Sequence, residues 1–505
     1  MPISIINIAR NAMKFTSVKV ISAAAGLAVT LYAATILTPT EYGTYGLLGL
    51  WLMYVGLVAP GIYSAASREI PVLLGQGKDE EALKVQNISV SAELLYIILP
   101  TAVIIGASFF YMDTVLRIGL LIIAASYIAN RLIGLWSHMN FIRQKFNTVA
   151  LGSLIITIVS PVVILASLHW LKVYALIVGP LVAHAVALVY YFTKGNIGFR
   201  FGLDKQEILR LLKIGVILQG LGLMFWAFRM ADRTIIAAML PLAQLGFYTF
   251  AIGFLTHALT FFNDFGRVLQ PILWQEAGTA DSIHKGFRDT RRIAVYMALA
   301  TAITIPLAQL IFTLIATLLT TKYIDSIPIF NVLSYNLYLM AISIIPSLIL
   351  NSSLVNKQRL SLIFYSIGLA FNIGFDILVI KLGYGVIGVA WVTICTQGIV
   401  TLILYYLIRN YIYKNPREFP RFAAVLLIPF VCCLPFYFFH TYLYSTVDSM
   451  WVFTGITLAT QIIIWSVIIR VFYRGYVSIT ELRVIINEIR AAVSRNRPEN
   501  SNIME

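Results

Sequence analysis

Long apolar runs separated by short polar connections fill almost the whole 505-residue chain. Each run is about 18–25 residues long, the length that a helix needs to cross a hydrocarbon core about 30 Å thick. The pattern predicts an all-α polytopic membrane protein with about fourteen transmembrane helices, because helices satisfy their own backbone groups in lipid. The predicted spans are 16–37, 44–66, 88–111, 115–138, 149–170, 173–192, 213–240, 244–266, 292–318, 327–350, 360–381, 385–408, 421–441 and 450–472.

The composition supports this prediction. Hydrophobic residues make up 59% of the chain and charged residues 12%, whereas soluble proteins carry about 25% charged residues. We therefore look for the function among transporters, channels and membrane-embedded enzymes. The first apolar run follows Arg10, Lys14 and Lys19 and precedes many others, so we expect a retained helix rather than a cleaved signal peptide.

Basic residues alternate from one connection to the next. The N-terminus, the even-numbered connections and the C-terminus hold about 30 of the 37 Lys and Arg, and cytoplasmic connections are the basic ones. This distribution predicts a multi-pass protein of the cytoplasmic (inner) membrane with both termini in the cytoplasm. The net charge of +15 is spread over separate short connections, so we expect no nucleic-acid partner.

The chain contains one order of residues twice, six spans apart. Pro39, Gly43-Thr44-Tyr45 and a charged segment in the first half correspond to Pro241, Gly246-Phe247-Tyr248 and a basic segment in the second. An even offset preserves orientation, so the pattern predicts two pseudo-symmetric six-helix lobes with a site between them. The predicted parts are the N-terminal lobe (1–193), a cytoplasmic linker with an interfacial helix (194–212), the C-terminal lobe (213–410), an extra transmembrane pair (411–475), and a cytoplasmic amphipathic helix and tail (476–505).

Three charged residues lie inside the seventh span: Arg229, Asp232 and Arg233. Each costs about 2.5–3.5 kcal/mol at mid-membrane on insertion scales, and Asp232 offsets only one positive charge. On a helix, Arg229 and Arg233 share a face with Gly222 and Phe225. We expect this face to line a wet cavity that binds an anion, since arginine matches phosphate oxygens well.

Other polar residues in or near the spans have narrower predicted roles. Arg131 is expected to join Arg229 and Arg233 in a cationic cavity. The residues expected to support the cavity or to couple transport to an ion are Asp232, Asp376, Asn372, His184, Glu93 and Asp264. Arg68 and Arg267, near helix ends, are expected at a cytoplasmic gate. The alternative for each is a local structural pair or a side chain that reaches the membrane surface.

Three segments of the chain resemble a known family. Residues 37–45, 232–248 and 372–390 resemble the polysaccharide-exporter branch of the multidrug/oligosaccharidyl-lipid/polysaccharide superfamily, which includes flippases of the O-antigen type. The resemblance implies a V-shaped pair of lobes that moves polyprenyl-pyrophosphate-linked oligosaccharides from the cytoplasmic to the outer leaflet by alternating access. It also implies that Arg229 and Arg233 bind the pyrophosphate, and that the partners are the lipid-linked glycan, the bilayer and other polysaccharide-assembly proteins.

Two other functions remain open. One is an ion-coupled exporter of drugs or metabolites on the same fold, which should need intramembrane carboxylates to hold a cationic drug. The other is a membrane-embedded glycan polymerase or ligase, which should need a large external loop, whereas every odd-numbered connection is short. The sequence shows no nucleotide-binding loop, paired metal ligands or nucleophile–base set. We therefore expect no catalytic residue and no cofactor, with transport driven by an H⁺ or Na⁺ gradient or by consumption of the product.

Overall fold

The computed structural model of the chain is built from α-helices and short 3₁₀ turns. It describes residues 5–57, 61–143, 145–195, 197–279, 283–287, 290–352, 354–447 and 449–473. The helices are α1 (Ile5–Ile36), α2 (Pro39–Leu57), α3 (Ile62–Gly75), α4 (Asp79–Ser108), α5 (Thr114–Ile142), α6 (Phe146–Leu171), α7 (Ala175–Lys194), α8 (Lys205–Met239), α9 (Leu242–Thr279), α10 (Ile283–Gly286), α11 (Thr290–Leu318), α12 (Ser326–Leu350), α13 (Gln358–Lys381), α14 (Gly385–Ile412), α15 (Phe419–Thr446) and α16 (Met450–Phe472). The predicted tail of residues 476–505 lies outside the described residues.

The prediction of an all-α multi-pass membrane protein is confirmed. Within the described ranges, ten helical stretches are long and apolar enough to cross a membrane, and one of them, Phe146–Lys194, contains both α6 and α7. Every predicted span lies on a helix, with the second divided between α2 and α3. The total of fourteen transmembrane helices stays a prediction.

Helix α8 differs from the expected interfacial helix followed by a separate span. It is a single helix of 35 residues, roughly 52 Å long at 1.5 Å per residue. The Asp204 carboxylate caps it by accepting bonds from the backbone N–H groups of Gln206 and Glu207, at 3.1 and 3.2 Å. No proline interrupts the residues that follow, so the helix continues into the span. Its first half buries Leu211 in a core of the N-terminal lobe and its second half buries Ile236 in the C-terminal core.

The two lobes share a core at one end of the bundle. We call this end, which carries the α1–α2 and α8–α9 connections, the turn end, and the opposite end, which carries residues 195–204, the linker end. Ala34 of α1, Leu37 of the α1–α2 connection and Tyr42 of α2 are buried in the same cluster as the C-terminal core. Helices α15 and α16 add to the C-terminal lobe by packing on α11 and α12. The turn end is therefore where the lobes are joined.

A close crossing of α2 and α9 forms this junction. A methyl group on Gly43 would overlap with the carbonyl of Leu242, and one on Gly246 would overlap with the carbonyl of Pro39. The contact is reciprocal, and each glycine belongs to one copy of the predicted repeat. Small residues let helix backbones approach closely in membranes, where lipid supplies little hydrophobic drive for helix association. The repeat therefore marks the point where the lobes meet.

Aromatic rings close the turn end around this crossing. The ring of Tyr42 lies edge-on to Tyr45, Phe250 and Tyr323, with centroids 5.8, 6.1 and 5.8 Å away. The hydroxyl of Tyr323 donates to the backbone carbonyl of Leu37 at 3.2 Å. Residues from α2, α9 and the α1–α2 and α11–α12 connections thus form one packed layer.

Replacing Gly246 by Ala should weaken the junction, because the added methyl meets backbone rather than a movable side chain. Overpacking of this kind costs about 1–3 kcal/mol, so the midpoint of thermal unfolding in detergent should fall. Gly253→Ala on the same helix is the matched control, since its methyl would meet only Thr30 Cγ2 at 3.7 Å and the Tyr42 hydroxyl at 4.0 Å. Equal midpoints for the two variants would contradict the proposed crossing.

Candidate functional site

A cavity of about 460 Å³ lies between the lobes. Helices α1 and α2 form one side, and α8, α9, α12 and α14 form the other. Its polar lining residues include Thr30, Asp232, Arg233, Tyr248, Thr249, Thr256, His257, Asn336, Thr393 and Gln397. We call it the central cavity. It lies where the repeat predicted a site, and the turn-end layer covers one end of it.

Arg233 is the cation that lines the central cavity. Its Nη2 atom lies 3.6 Å from the sulfur of Met53 on the facing helix α2. Its Nε atom is buried and has no hydrogen-bond partner. Across the described ranges, Arg233 forms no ion pair. A half-satisfied guanidinium in a membrane cavity has the hydrogen-bonding capacity to bind an anion.

Asp232 does not pair with Arg233, although the two are adjacent in sequence. One oxygen of Asp232 accepts hydrogen bonds from the Tyr248 hydroxyl at 2.5 Å and the Thr393 hydroxyl at 2.7 Å. The other oxygen is buried without a partner. Consecutive helical residues point about 100° apart, which directs the carboxylate toward the C-terminal lobe. Whether Asp232 offsets the charge of Arg229, one turn away, stays a prediction, because the Arg229 side chain lies outside the described part of the structure.

A second carboxyl group lies beside Asp232. Asp376 of α13 interacts with the Asp232 carboxyl group, and Asn372 lies one turn earlier on the same helix. Asp376 and Asn372 are fully buried, and both oxygens of Asp376 and both polar atoms of the Asn372 side chain have no hydrogen-bond partner. We call Asp232, Asn372, Asp376 and Thr393 the carboxyl site. Two buried carboxyl groups side by side repel when both are ionised, and buried polar atoms without partners are costly, so the arrangement favours a bound proton or cation.

The composition of the carboxyl site restricts the cation. Within the described part of the chain, no group of three or more His, Cys, Asp or Glu side chains is placed to hold a metal ion. Two carboxylates, an amide and a hydroxyl are hard oxygen donors. They suit a proton or a small alkali cation better than a tightly held transition metal.

Arg131 lies in a separate place and has a partner. Its Nη2 atom forms an ion pair of 2.5 Å with Glu93, and the two line a small cavity of about 150 Å³ together with Tyr63 and Asn130. Glu93 lies near the middle of α4, because this helix begins at Asp79, earlier than the predicted span. Arg131, expected in the cationic cavity, and Glu93, expected to support the cavity or couple transport to an ion, therefore form an ion pair with each other within the N-terminal lobe.

The other predicted site residues are distributed as follows. His184 lies on α7, which packs against α5 and α6, and its Nδ1 atom is buried without a partner. The side chains of Arg229, Asp264, Arg68 and Arg267 lie outside the described part of the structure, so their predicted roles stay predictions. On the backbone, Arg229 precedes Arg233 by one turn of α8.

An ion-pair cluster at the linker end joins α3 to α8. Arg210 donates through both terminal nitrogens to the two oxygens of Glu69, at 2.6 Å for Nη2, and its Nε donates to Glu207 at 2.9 Å. Hydrogen bonds to Glu207 and Glu69 raise the pKa of Arg210, and Arg210 lowers the pKa of Glu207. Near this cluster the backbones of Gly61 and Gly215 also touch. A methyl group on either glycine would overlap with the backbone carbonyl of the other. We call Glu69, Glu207 and Arg210 the linker clamp.

The linker clamp could not be identified from the sequence. Glu69 and Arg210 are 141 residues apart, and both occur in polar connections where charged residues are common. The cytoplasmic gate expected at Arg68 and Arg267 stays a prediction, because both side chains lie outside the described part of the structure. The neighbouring position, Glu69, carries the contact that the described structure shows.

Known proteins resemble the chain in sequence and in fold. The family described as "Polysaccharide biosynthesis protein" matches residues 32–328. The structure titled "Lipid II flippase MurJ, inward closed conformation" is similar with a TM-score of 0.68 and 16% identity, over 91% of this chain and 99% of that one. An inward-facing multidrug resistance MATE family transporter of the MOP superfamily is similar with a TM-score of 0.65 and 14% identity, over 82% and 98%. At such identities the likeness shows the fold alone. No curated protein sequence matches the chain significantly.

Replacing Glu69 by Gln should open the linker end more often, because it removes the charge that holds Arg210 to α3. A partly exposed ion pair contributes about 0.2–1 kcal/mol, which shifts an opening equilibrium by roughly 1.5- to 5-fold. A cysteine at Asn336, placed in a background without native cysteines, should then react that much faster with a water-soluble maleimide. Glu81→Gln, which removes the exposed 3.2 Å pair with Lys78, is the control, and equal rates for both variants would contradict a role for the clamp.

Proposed function

Because the chain belongs to the polysaccharide biosynthesis protein family, we propose that it is a flippase for a polyprenyl-pyrophosphate-linked oligosaccharide. It moves the repeat unit from the cytoplasmic to the outer leaflet by alternating access. The linker end and both termini lie in the cytoplasm, as the distribution of Lys and Arg favours, and the turn end faces outward. The protein acts in the inner membrane beside other polysaccharide-assembly proteins.

The observation that carries the proposal is the state of Arg233. It lines the central cavity between the lobes and makes no ion pair among the described residues. A pyrophosphate linked to a prenyl chain is the part of such a substrate that hydrocarbon excludes most strongly. Arg233 binds this group, and Arg229, one turn away on α8, is the second cation of the same face. Arg131 is left to hold Glu93 within the N-terminal lobe.

The central cavity is too small to hold a whole lipid-linked oligosaccharide in this conformation. A volume of about 460 Å³ is in the range of drug-sized ligands, which suits the pyrophosphate and its first sugar better than a whole oligosaccharide. Loading therefore requires the lobes to separate. The turn end is closed by backbone contact, so separation starts at the linker end with release of the linker clamp.

The carboxyl site couples transport to an ion gradient. A proton or Na⁺ bound there satisfies the polar atoms of Asn372 and Asp376 that lack partners and removes the repulsion between Asp232 and Asp376. The site joins α8, α13 and α14, so its occupancy changes how the second half of α8 packs in its lobe. Since α8 also carries Arg210 of the linker clamp, the two ends of this helix act together.

A multidrug exporter is the second candidate, because the fold is also that of a MATE transporter and the cavity has the size of a drug. The charge that lines the cavity argues against cationic drugs. Arg233 would repel them, while Asp232 is engaged by Tyr248 and Thr393. A neutral or anionic small molecule remains the competing substrate.

Replacing Arg233 by Ala should slow flipping strongly, because the pyrophosphate loses its charged partner. Hydrogen bonds to charged groups contribute about 1.5–3 kcal/mol, so the initial rate should fall by roughly 10- to 100-fold, and Arg233→Lys should recover only part of it. The measurement uses proteoliposomes that contain a fluorescent polyprenyl-pyrophosphate oligosaccharide, with an impermeant quencher to report the leaflet.

The control for this experiment is Arg117→Ala. It removes the same charge from the turn end, where Arg117 lies over the ring of Phe109 at 5.5 Å, and should flip at the normal rate. Normal flipping by the Arg233→Ala protein at equal protein content would refute the role of Arg233. A wild-type protein that extrudes dyes but leaves the labelled glycolipid in place would refute the flippase proposal.

Replacing Asp376 by Asn should remove the response of the protein to its coupling ion. A ligand at 100 times its Kd stabilises the folded state by about 2.7 kcal/mol, so the unfolding midpoint of the wild type should rise with Na⁺ or with falling pH, but not with K⁺. The Asp376→Asn midpoint should follow neither. Asp325→Asn, at an exposed helix start without a side-chain cap bond, should behave as wild type, and a response retained by Asp376→Asn would contradict the assignment.

A further inference from the structure

The C-terminal lobe has an apolar groove on a side away from the central cavity. It has a volume of about 410 Å³ and lies between α12, α14 and α15. Ile394 and Gly398 of α14, Leu426 and Phe430 of α15, and Leu339 of α12 are among its lining residues. We call it the lateral groove.

Helix α14 separates the lateral groove from the central cavity. Thr393 and Gln397 line the cavity, whereas Ile394 and Gly398, one position later in each case, line the groove. Consecutive positions point about 100° apart around a helix, so the two spaces lie on different faces of α14. An anion held by Arg233 and a molecule in the groove therefore occupy different sites.

The groove is long enough to extend across one leaflet of a bilayer. Along α14 its lining runs from Trp391 to Tyr405, which is roughly 21 Å at 1.5 Å per residue. Half of a hydrocarbon core is about 15 Å. An extended acyl chain that starts at the linker end can therefore lie in the groove along its whole depth in that leaflet.

The linker end of the groove is aromatic and then basic. Tyr405, Phe419 and Phe422 line it. The following surface, residues 409–421, contains Arg409, Lys414, Arg417 and Arg421 against a single acidic residue, Glu418. The guanidinium of Arg409 lies 3.6 Å from the ring centroid of Tyr406, whose ring is edge-on to Phe419.

The three cations beyond Arg409 are available to a ligand. Lys414, Arg417 and Arg421 are exposed, and they form no ion pair in the described ranges. Basic clusters between transmembrane helices at the cytoplasmic surface bind anionic lipid headgroups. The three cations at the linker end of the lateral groove suit an anionic headgroup, and the apolar lining of the groove suits the acyl chain attached to it.

We propose that the lateral groove binds an anionic phospholipid. One acyl chain lies between α14 and α15, and the headgroup phosphate lies against Lys414, Arg417 and Arg421. The assignment to the cytoplasmic leaflet rests on the orientation given under the proposed function, whereas the site itself does not. The bound lipid fills the space between α15 and the lobe, so it holds the last two helices against the C-terminal lobe.

Cys395 is a native reporter for this site, because it is exposed and lines the groove. Replacing Cys432 and Cys433 by Ala leaves it as the single cysteine of the chain. In detergent, phosphatidylglycerol should slow its reaction with an apolar maleimide at least severalfold, and phosphatidylethanolamine should not. Arg417→Gln with Arg421→Gln should remove this protection, whereas Arg200→Gln, which removes an exposed charge from the N-terminal lobe side, should keep it.

A second variant tests the groove without changing its charge. A side chain at Gly398 would start in open space, with only Leu339 near its first carbon at 3.7 Å, so Gly398→Leu should fill the groove and leave the helix intact. Native mass spectrometry should show phosphatidylglycerol retained by the wild type and lost from this variant. Retention by Gly398→Leu, or equal protection by both phospholipids, would overturn the proposal.

Two further outcomes would also overturn it. Protection of Cys395 by a polyprenyl pyrophosphate but not by phosphatidylglycerol would assign the groove to the transported lipid. Slow labelling of Cys395 in lipid-free protein would show that another segment of protein covers it. Both measurements are made without transport, so they are independent of whether the flippase proposal holds.

Discussion

The backbone contact between α2 and α9 is the constraint on which the rest of the structure depends. Helices gain little from hydrophobic burial against each other in lipid, so the lobes need a contact that lipid cannot replace. Gly43 and Gly246 supply it by letting each helix touch the carbonyl of the other. Because this contact has no side chain that could turn away, it holds the turn end closed in this conformation. The central cavity and the linker clamp lie toward the opposite end, and the turn-end contact has to separate before a substrate can leave outward.

The cost of charge in hydrocarbon explains where the remaining polar groups are. Glu93 and Arg131 neutralise each other inside the N-terminal lobe, and Asp232 is held by two hydroxyl groups. Arg233 and Asp376 are the described groups for which no such arrangement exists. Each costs about 2.5–3.5 kcal/mol on insertion scales, a cost that an anion beside Arg233 and a proton or cation beside Asp376 would offset.

The sequence specified the elements better than their assembly. The length and hydropathy of the runs located every span on a helix, and the repeated Pro–Gly order located both glycines of the turn-end crossing. The period of the pattern could not show that α8 continues from the linker through the span, because an amphipathic surface helix and the first turns of a long one look alike. For a similar reason Glu93 was expected near a helix end. The charged first turn of α4 resembles a polar connection, so the predicted span began at residue 88 rather than at Asp79.

The sequence also could not predict ion pairs between residues that are distant in the chain. The pairs Arg131–Glu93 and Arg210–Glu69 join residues 38 and 141 positions apart, and their charges taken alone suggest many partners. From the sequence we expected Arg131 to share a cationic cavity with Arg229 and Arg233. In the structure Arg131 instead forms an ion pair with Glu93 inside the N-terminal lobe. Arg233 forms no ion pair in the described ranges, and its depth in the span is what suggested a position in a wet cavity.

The adjacency of Asp232 and Arg233 has a thermodynamic consequence. A cation bound at Asp232 would add positive potential at the neighbouring guanidinium and tighten its hold on a phosphate. By linkage, the phosphate would tighten the hold on the cation by the same factor. Two ligands of opposite charge would then load cooperatively through one peptide unit, with no movement needed to connect them. Release would be coupled in the same way, so departure of the cation would weaken the hold on the phosphate by the same factor.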